Sequence, residues 1–153
     1  MGINSVKVKA RLRAVLDTNV YIAAYLTKNP RSPNKELFKR WRDTQFTLLV
    51  SKSILVEVVK KFDEYDIAQQ LTIDLITHIL ASAEYITVPA KSVNAVISAD
   101  PDDNLILACA IVGSADYLVT YDPHFDVLGG EYEGVKILDG LHFLYIVRGD
   151  VKR

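Results

Sequence analysis

Apolar and polar positions follow two rhythms along this chain, and the change from one to the other marks the elements. In "VKVKARLR", Lys7, Lys9, Arg11 and Arg13 share one parity, which predicts a strand with one basic face. "AVLD" reads as the buried end of a strand, and "TNVYIAAYLTK" as a helix begun by Thr18 or Asn19. "NPRSPN" is a loop by its Pro, Asn and Ser content. "KELFKRWRD" predicts a short amphipathic helix, "FTLLVS" a strand, and "ILVEVVKKFDEY" a helix capped by Ser51 or Ser53. In "DIAQQLTIDLITHILASA", Ile67, Leu71, Leu75 and Ile79 recur at intervals of four, a helical stripe. "EYITVPA" predicts a strand, and "SADPDDNLILACAIVG" a helix with an acidic start that ends at Gly113. "ADYLVTYD" predicts a strand, "PHFDVLGGEYEG" a loop, "VKILD" a strand and "GLHFLYIVR" a last helix.

Strands that alternate with helices from end to end predict an α/β fold with a mostly parallel central sheet covered on both faces. No repeat, low-complexity tract or linker interrupts the pattern. The expectation is one domain over residues 1–153, with a core from about 12 to 147 and a basic extension over 1–11.

Composition narrows the classes. Half of the 153 residues are hydrophobic, which supplies a core and excludes a disordered chain. No apolar run approaches the roughly 18 residues of a membrane span. The first residues lack the apolar stretch of a signal peptide, so a cytoplasmic protein is expected. The single Cys109, inside "LILACAIV", reads as a buried core thiol. A net charge of −1 excludes a strongly basic nucleic-acid binder. Four acids gathered on a cation would change that balance, leaving 18 basic against 15 acidic residues, a net +3.

Four acids stand out. Asp17 and Asp122 end predicted strands, Glu57 interrupts the apolar run "ILVEVV", and Asp103 lies in the first turn of its helix. Each has an ordinary explanation alone. Asp100 fits an N-cap, with Pro101 at N1 and Asp102 and Asp103 complementing the helix dipole. A strand-end Asp is a common turn residue. Convergence alters the reading, because parallel α/β sheets bind ligands beyond the carboxyl ends of their strands. The coarse fold sends all four acids to that edge. Acids gathered there without a basic partner repel one another unless a cation lies between them. Hard cations such as Mg²⁺ and Mn²⁺ prefer such oxygens.

"VLDTNVYIAA", "LVEVV", "DDNLILACA" and "DYLVTYDPHF" together resemble the PIN-domain ribonucleases, in particular small prokaryotic members that include VapC-type toxins. The likeness runs from about residue 12 to 145, and "LDTNV" and "ADYLVTYD" are its most specific parts. It implies a PIN-like three-layer α/β/α fold, RNA hydrolysis by water, and Mg²⁺ or Mn²⁺ as cofactor. Asp17, Glu57, Asp103 and Asp122 match the family's four acids, as both metal ligands and catalytic groups. Asn19 and Thr120 match polar positions that steady the site. Of the acids in "DPDD", Asp103 fits because an apolar run follows it, and Asp103, Ile106 and Ala110 share a helix face. Asp102 is then a cap or an outer partner of the site. The resemblance also implies a cognate antitoxin and a homodimer, formed through exposed apolar residues of the first two helices.

Other readings fit less well. A phosphatase of the haloacid dehalogenase type needs a second acid where Asn19 stands, and a receiver domain needs paired acids at the first strand end. A catalytically silent PIN-like module that binds RNA or protein is the alternative. The basic face of Lys7, Lys9, Arg11 and Arg13 is either solvent-facing or an RNA phosphate contact, together with Lys35, Lys39 and Arg42. His78 and His142 read as surface or partly buried residues. So, on balance, does His124, although two residues beyond Asp122 it is placed where it could touch substrate. Asp116 and Asp126 read as loop acids.

Overall fold

The computed structural model describes residues 11–97 and 100–151. Strand β1 (Arg13–Leu16) leads through helices α1 (Thr18–Leu26) and α2 (Pro33–Arg42) to β2 (Thr47–Val50). Helices α3 (Lys52–Glu64) and α4 (Gln69–Ser82) follow, then β3 (Glu84–Tyr85) and α5 (Pro101–Val112). Strand β4 (Tyr117–Val119), β5 (Glu131–Tyr132), β6 (Val135–Leu138) and α6 (Gly140–Arg148) complete the chain. No helix among the described residues is long and apolar enough to cross a membrane.

The sheet order is β3-β2-β1-β4-β6-β5, parallel throughout except for the β5–β6 hairpin. Its centre is buried on both faces. Ala14, Val15, Leu16, Leu48, Leu49, Tyr117, Leu118 and Val119 are all in the core, which explains why these strands read as unbroken apolar runs. Helix α5 lies over β1, β2 and β4; α2 packs on α6; and α1 lies against α2 and α3. The result is the three-layer α/β/α arrangement expected from the sequence. Aromatic side chains fill the layers: Phe46 and Tyr117 meet Phe143 at 5.2 and 5.4 Å, and Tyr21 meets Phe38 at 5.0 Å between ring centres. Cys109 is fully buried, and His78 is half-buried with its ring edge-on to Trp41 at 4.8 Å.

Strand order places the functional edge. The chain steps from β1 to β2 and β3 on one side, and α5 then returns it to β4 on the other side of β1. The switch point therefore falls between β1 and β4, where Leu16 pairs with Val119. Asp17 follows the first strand directly and Thr120 the second. The Asp17 N–H extends the ladder by one bond, donating to the Val119 carbonyl at 2.8 Å.

Several elements differ from expectation. Arg11 and Leu12 lie before β1 and outside any strand, and Lys7 and Lys9 fall outside the described residues. Arg13 is in β1, but its guanidinium grips Glu84 through two hydrogen bonds of 2.7 and 2.8 Å and donates to the Gly113 carbonyl at 2.7 Å. It is therefore not free to hold phosphate as the basic-face reading expects. It also sits at the amino end of β1, one strand length from Asp17. Helix α2 starts at Pro33, two residues earlier than its polar-apolar rhythm suggests, because proline suits the first helical turn. "EYITVPA" pairs only over Glu84–Tyr85. Within the predicted loop 123–134, Pro123–Leu128 form a 3₁₀ helix and Glu131–Tyr132 form β5. The β5–β6 turn puts Glu133 and Gly134 at φ 47° and 84°, the paired positive angles of a tight two-residue hairpin.

Candidate metal centre

Three carboxylates from separate elements meet at the switch point. Asp17 caps α1, Asp103 lies in the first turn of α5, and Asp122 caps the 3₁₀ helix that follows β4. One oxygen from each lies within 4.8 Å of the others. Asp17 and Asp103 are 4% and 5% exposed, a degree of burial that carboxylates rarely reach without a partner. Burial follows from position: Asp17 directly follows the buried strand β1, and Asp103 lies on the face of α5 that also carries the buried Ile106 and Ala110.

Asp17 is held by three donors. The Thr18 N–H reaches Oδ1 at 2.7 Å, the Thr120 hydroxyl reaches Oδ2 at 2.7 Å, and the Asn19 amide reaches Oδ2 at 3.3 Å. Thr120 and Asn19, which the resemblance gives as polar positions near the acids, both bond to Asp17. Both also tie down the strand beyond β4: Thr120 Oγ1 accepts the Asp122 N–H at 3.0 Å, and Asn19 Oδ1 accepts the Tyr121 N–H at 3.2 Å.

The electrostatics oppose ionisation at the centre. Burial pushes the Asp17 carboxyl above its usual range, against the hydrogen bonds from Thr120 and Thr18, and the Asp122 and Asp100 charges add to the rise. Asp103 is pushed up to about 6, first by burial, with the charges of Asp122, Asp100 and Asp17 adding to it and a hydrogen bond to His124 opposing it. Three acids so arranged form an oxygen-only donor set that a divalent cation would complete.

The other sequence candidates lie elsewhere. Glu57 is half-buried on α3, 3.9 Å from Lys61 Nζ, and is not one of the three acids brought together among the described residues. Asp102 is exposed, and its N–H donates to the capping Asp100 at 3.0 Å. Arg11 is exposed, ahead of β1. The sequence reading set one contributor aside and missed another. His124 places Nδ1 3.0 Å from Asp103 Oδ2 and 3.3 Å from Asp122 Oδ1. Its closeness to Asp122 in sequence was the signal. Asn104, 5% exposed, accepts the N–H groups of Val96 and Ile97 at 3.1 and 2.9 Å and donates to the Ile97 carbonyl at 2.8 Å. It latches the segment before α5 onto the turn that carries Asp103. A polar residue beside Asp103 on an otherwise apolar helix was its only trace.

A parallel α/β/α fold with an acid cluster at its switch point defines a class, and the comparisons give it a family. The PIN domain family model matches residues 13–124, so the chain belongs to the PIN domain family. A chain in the crystal structure of VapBC2 from Rickettsia felis, bound to a DNA fragment from their promoter, shares the fold. It has a TM-score of 0.57 and 19% identity, over 82% of this chain and 97% of that chain. No curated protein matches the sequence.

Proposed function

We propose that this chain is a divalent-metal-dependent endoribonuclease, a hydrolase of RNA phosphodiester bonds that acts as the toxin of a toxin–antitoxin pair. The observation that carries the reading is the meeting of Asp17, Asp103 and Asp122 within 4.8 Å at the switch point. Membership of the PIN domain family and the VapC-like motifs support it.

Asp17, Asp103 and Asp122 would hold Mg²⁺ or Mn²⁺, the hard cations that suit carboxylate oxygens. When bound, the cation would offset charge on the phosphoryl oxygens and lower the pKa of an attacking water. The chain's own residues prepare that position. Thr120, Thr18 and Asn19 fix Asp17, so its carboxylate needs no reorganisation when charge develops. Asn19 and Thr120 also hold the backbone that leads to Asp122. Glu57, on α3 and 3.9 Å from Lys61 Nζ, would serve as a fourth acid of the centre, as the family resemblance implies.

The fold likeness to a VapBC2 chain supports an antitoxin as partner, and the motifs support a cytoplasmic homodimer built from a single PIN-like domain. Arg11, with Lys7 and Lys9, remains a candidate RNA contact. The second reading, a silent RNA- or protein-binding module, draws on one observation, the ion pair of Glu57 with Lys61.

Purified chain incubated with a mixed panel of single-stranded and hairpin RNAs separates the two. Cleavage that needs Mg²⁺ or Mn²⁺ and stops in excess chelator is expected. RNA binding without cleavage at any metal level supports the silent module.

A further inference from the structure

We propose that His124 is a positioning residue of the acid cluster, whose imidazole holds Asp103 in the orientation in which the cluster takes a divalent cation. The inference rests on the metal-centre reading above.

The three acids are not equally restrained. Asp17 has three donors, from Thr18, Asn19 and Thr120. Asp122 is fixed by the His124 N–H, which donates to its Oδ1 at 2.9 Å. Asp103 is buried at the start of α5, and its one side-chain hydrogen bond among the described residues is to His124 Nδ1 at 3.0 Å. An ionised carboxylate only accepts, so Nδ1 is the donor there. A single residue therefore restrains two of the three acids, one through its backbone and one through its ring.

The ring itself is well placed. Pro123 precedes it, and Phe125 follows it with 1% exposure, anchoring the 3₁₀ turn in the core. Its backbone N–H is tied to Asp122 and its Nδ1 lies 3.0 Å from Asp103 Oδ2, so the ring bridges the two acids. Its side chain is 41% exposed, at the open side of the cluster. Partners of this kind, hydrogen-bonded to a ligating group, typically change metal affinity by about 10- to 100-fold when removed.

The molecule carries its own control. His142 also bonds to acid through both its ring and its backbone, Nδ1 at 2.7 Å and N–H at 2.9 Å, but to a single acid, Asp139, at the start of α6. Asp139 belongs to no group of acids that could hold a cation among the described residues.

The test is a Mn²⁺ titration of the full chain by calorimetry, with pulsed EPR of the loaded protein. His124→Leu should weaken Mn²⁺ binding about 10- to 100-fold. His124→Asn, whose amide nitrogen sits where Nδ1 sits, should recover most of that affinity, and His142→Leu should bind as the wild type does. His124→Gln places its amide one bond further out; it should bind more weakly than His124→Asn, and serves if the Leu variant fails to fold. A His124→Leu or His124→Gln variant with unchanged affinity overturns the proposal. So does a directly bonded nitrogen on Mn²⁺ in the wild type, which would make His124 a ligand. A wild type that binds no Mn²⁺ overturns the metal centre itself, and this inference with it.

Discussion

Two buried or half-buried acids in this molecule are treated in opposite ways. Glu36 on α2 accepts Arg148 Nε and Arg40 Nε, each at 2.7 Å, and these hold its carboxyl down at about 2, the bond to Arg148 contributing most. Asp103 on α5 lies among Asp17, Asp100 and Asp122, and burial with their charge raises it to about 6. The first region neutralises itself and joins α2 to α6. The second carries like charges into the interior and is balanced only in part, by one histidine. The difference is what the metal-centre proposal accounts for: a cation would supply to the second region the positive charge that the two arginines supply to the first.

The sharpest way to break the comparison is to remove one charge on each side and read activity. Asp17→Asn should lower RNA cleavage by at least about 100-fold, on the scale of losing a preorganised charge contact at a reacting centre. Glu36→Gln should leave turnover unchanged. Rates per folded molecule, with folding checked by circular dichroism, decide it; an Asp17→Asn variant that keeps more than a few per cent of the rate removes Asp17 from the centre.

Stability sharpens the same contrast. A cation that binds the folded site and not the unfolded chain raises stability by about 2.7 kcal/mol at a hundred times its Kd. Asp103→Asn should lose most of that rise. In chelator the same variant should melt at or above the wild type, because it removes a repelled charge. If Asp103 served only as a helix-start acid, its loss would instead cost about 0.3–1 kcal/mol and metal would shift nothing. Melting both proteins with and without Mg²⁺ separates these outcomes.

How much of this was legible depends on range. The buried strands announced themselves because β1, β2 and β4 are covered on both faces and read as plain apolar runs. Asp17 was legible because an acid that ends such a run must face the sheet edge; Asp122 was expected to end β4 in the same way, but β4 stops at Val119 and Asp122 caps the 3₁₀ helix beyond it. Asp103 was separable from Asp102 by helix periodicity, and the structure buries the first and exposes the second. What failed was non-local. The basic parity of residues 7–13 could not reveal that Arg13 pairs with Glu84, 71 positions away. The ring of His124 gains its meaning from Asp103, 21 positions earlier. Strand β5 was missed because its turn uses Glu133 at positive φ, a position where Asn or Gly gives the usual signal.

Acidity offers a third and smaller contrast. Asp103 has a folded pKa near 6, above its ordinary 3.8, so the folded state binds more protons between these values. The stability this confers is full below about 4 and is lost as pH rises through 6. His124, raised chiefly by its bond to Asp103, shifts in the same direction. In chelator the wild type should therefore be about 1 kcal/mol more stable at pH 5 than at pH 7. Asp103→Asn should flatten that slope, and saturating Mg²⁺ should reverse it, because protons then compete with the cation. Urea titrations at the two pH values measure it; a slope unaffected by Asp103→Asn would show that Asp103 does not set it.

The smallest effect is expected where the charges are already balanced. For Glu36 the sign runs the other way: its folded pKa is depressed to about 2 from 4.5, so its contribution is present above 4.5 and lost as pH falls through 2. The pairs are partly solvent-exposed, with Glu36 at 27% and Arg148 at 38% side-chain exposure, so screening reduces their worth. Glu36→Gln should lower stability at pH 7 by only about 0.5–1 kcal/mol, less in high salt. It should leave both the Mg²⁺-induced rise in melting temperature and the pH 5 to 7 slope as they are in the wild type, because Glu36 bonds to Arg40 and Arg148 and not to the three acids. A Glu36→Gln variant that altered the metal response would couple the two regions and undo the comparison, making the arginine network part of the centre.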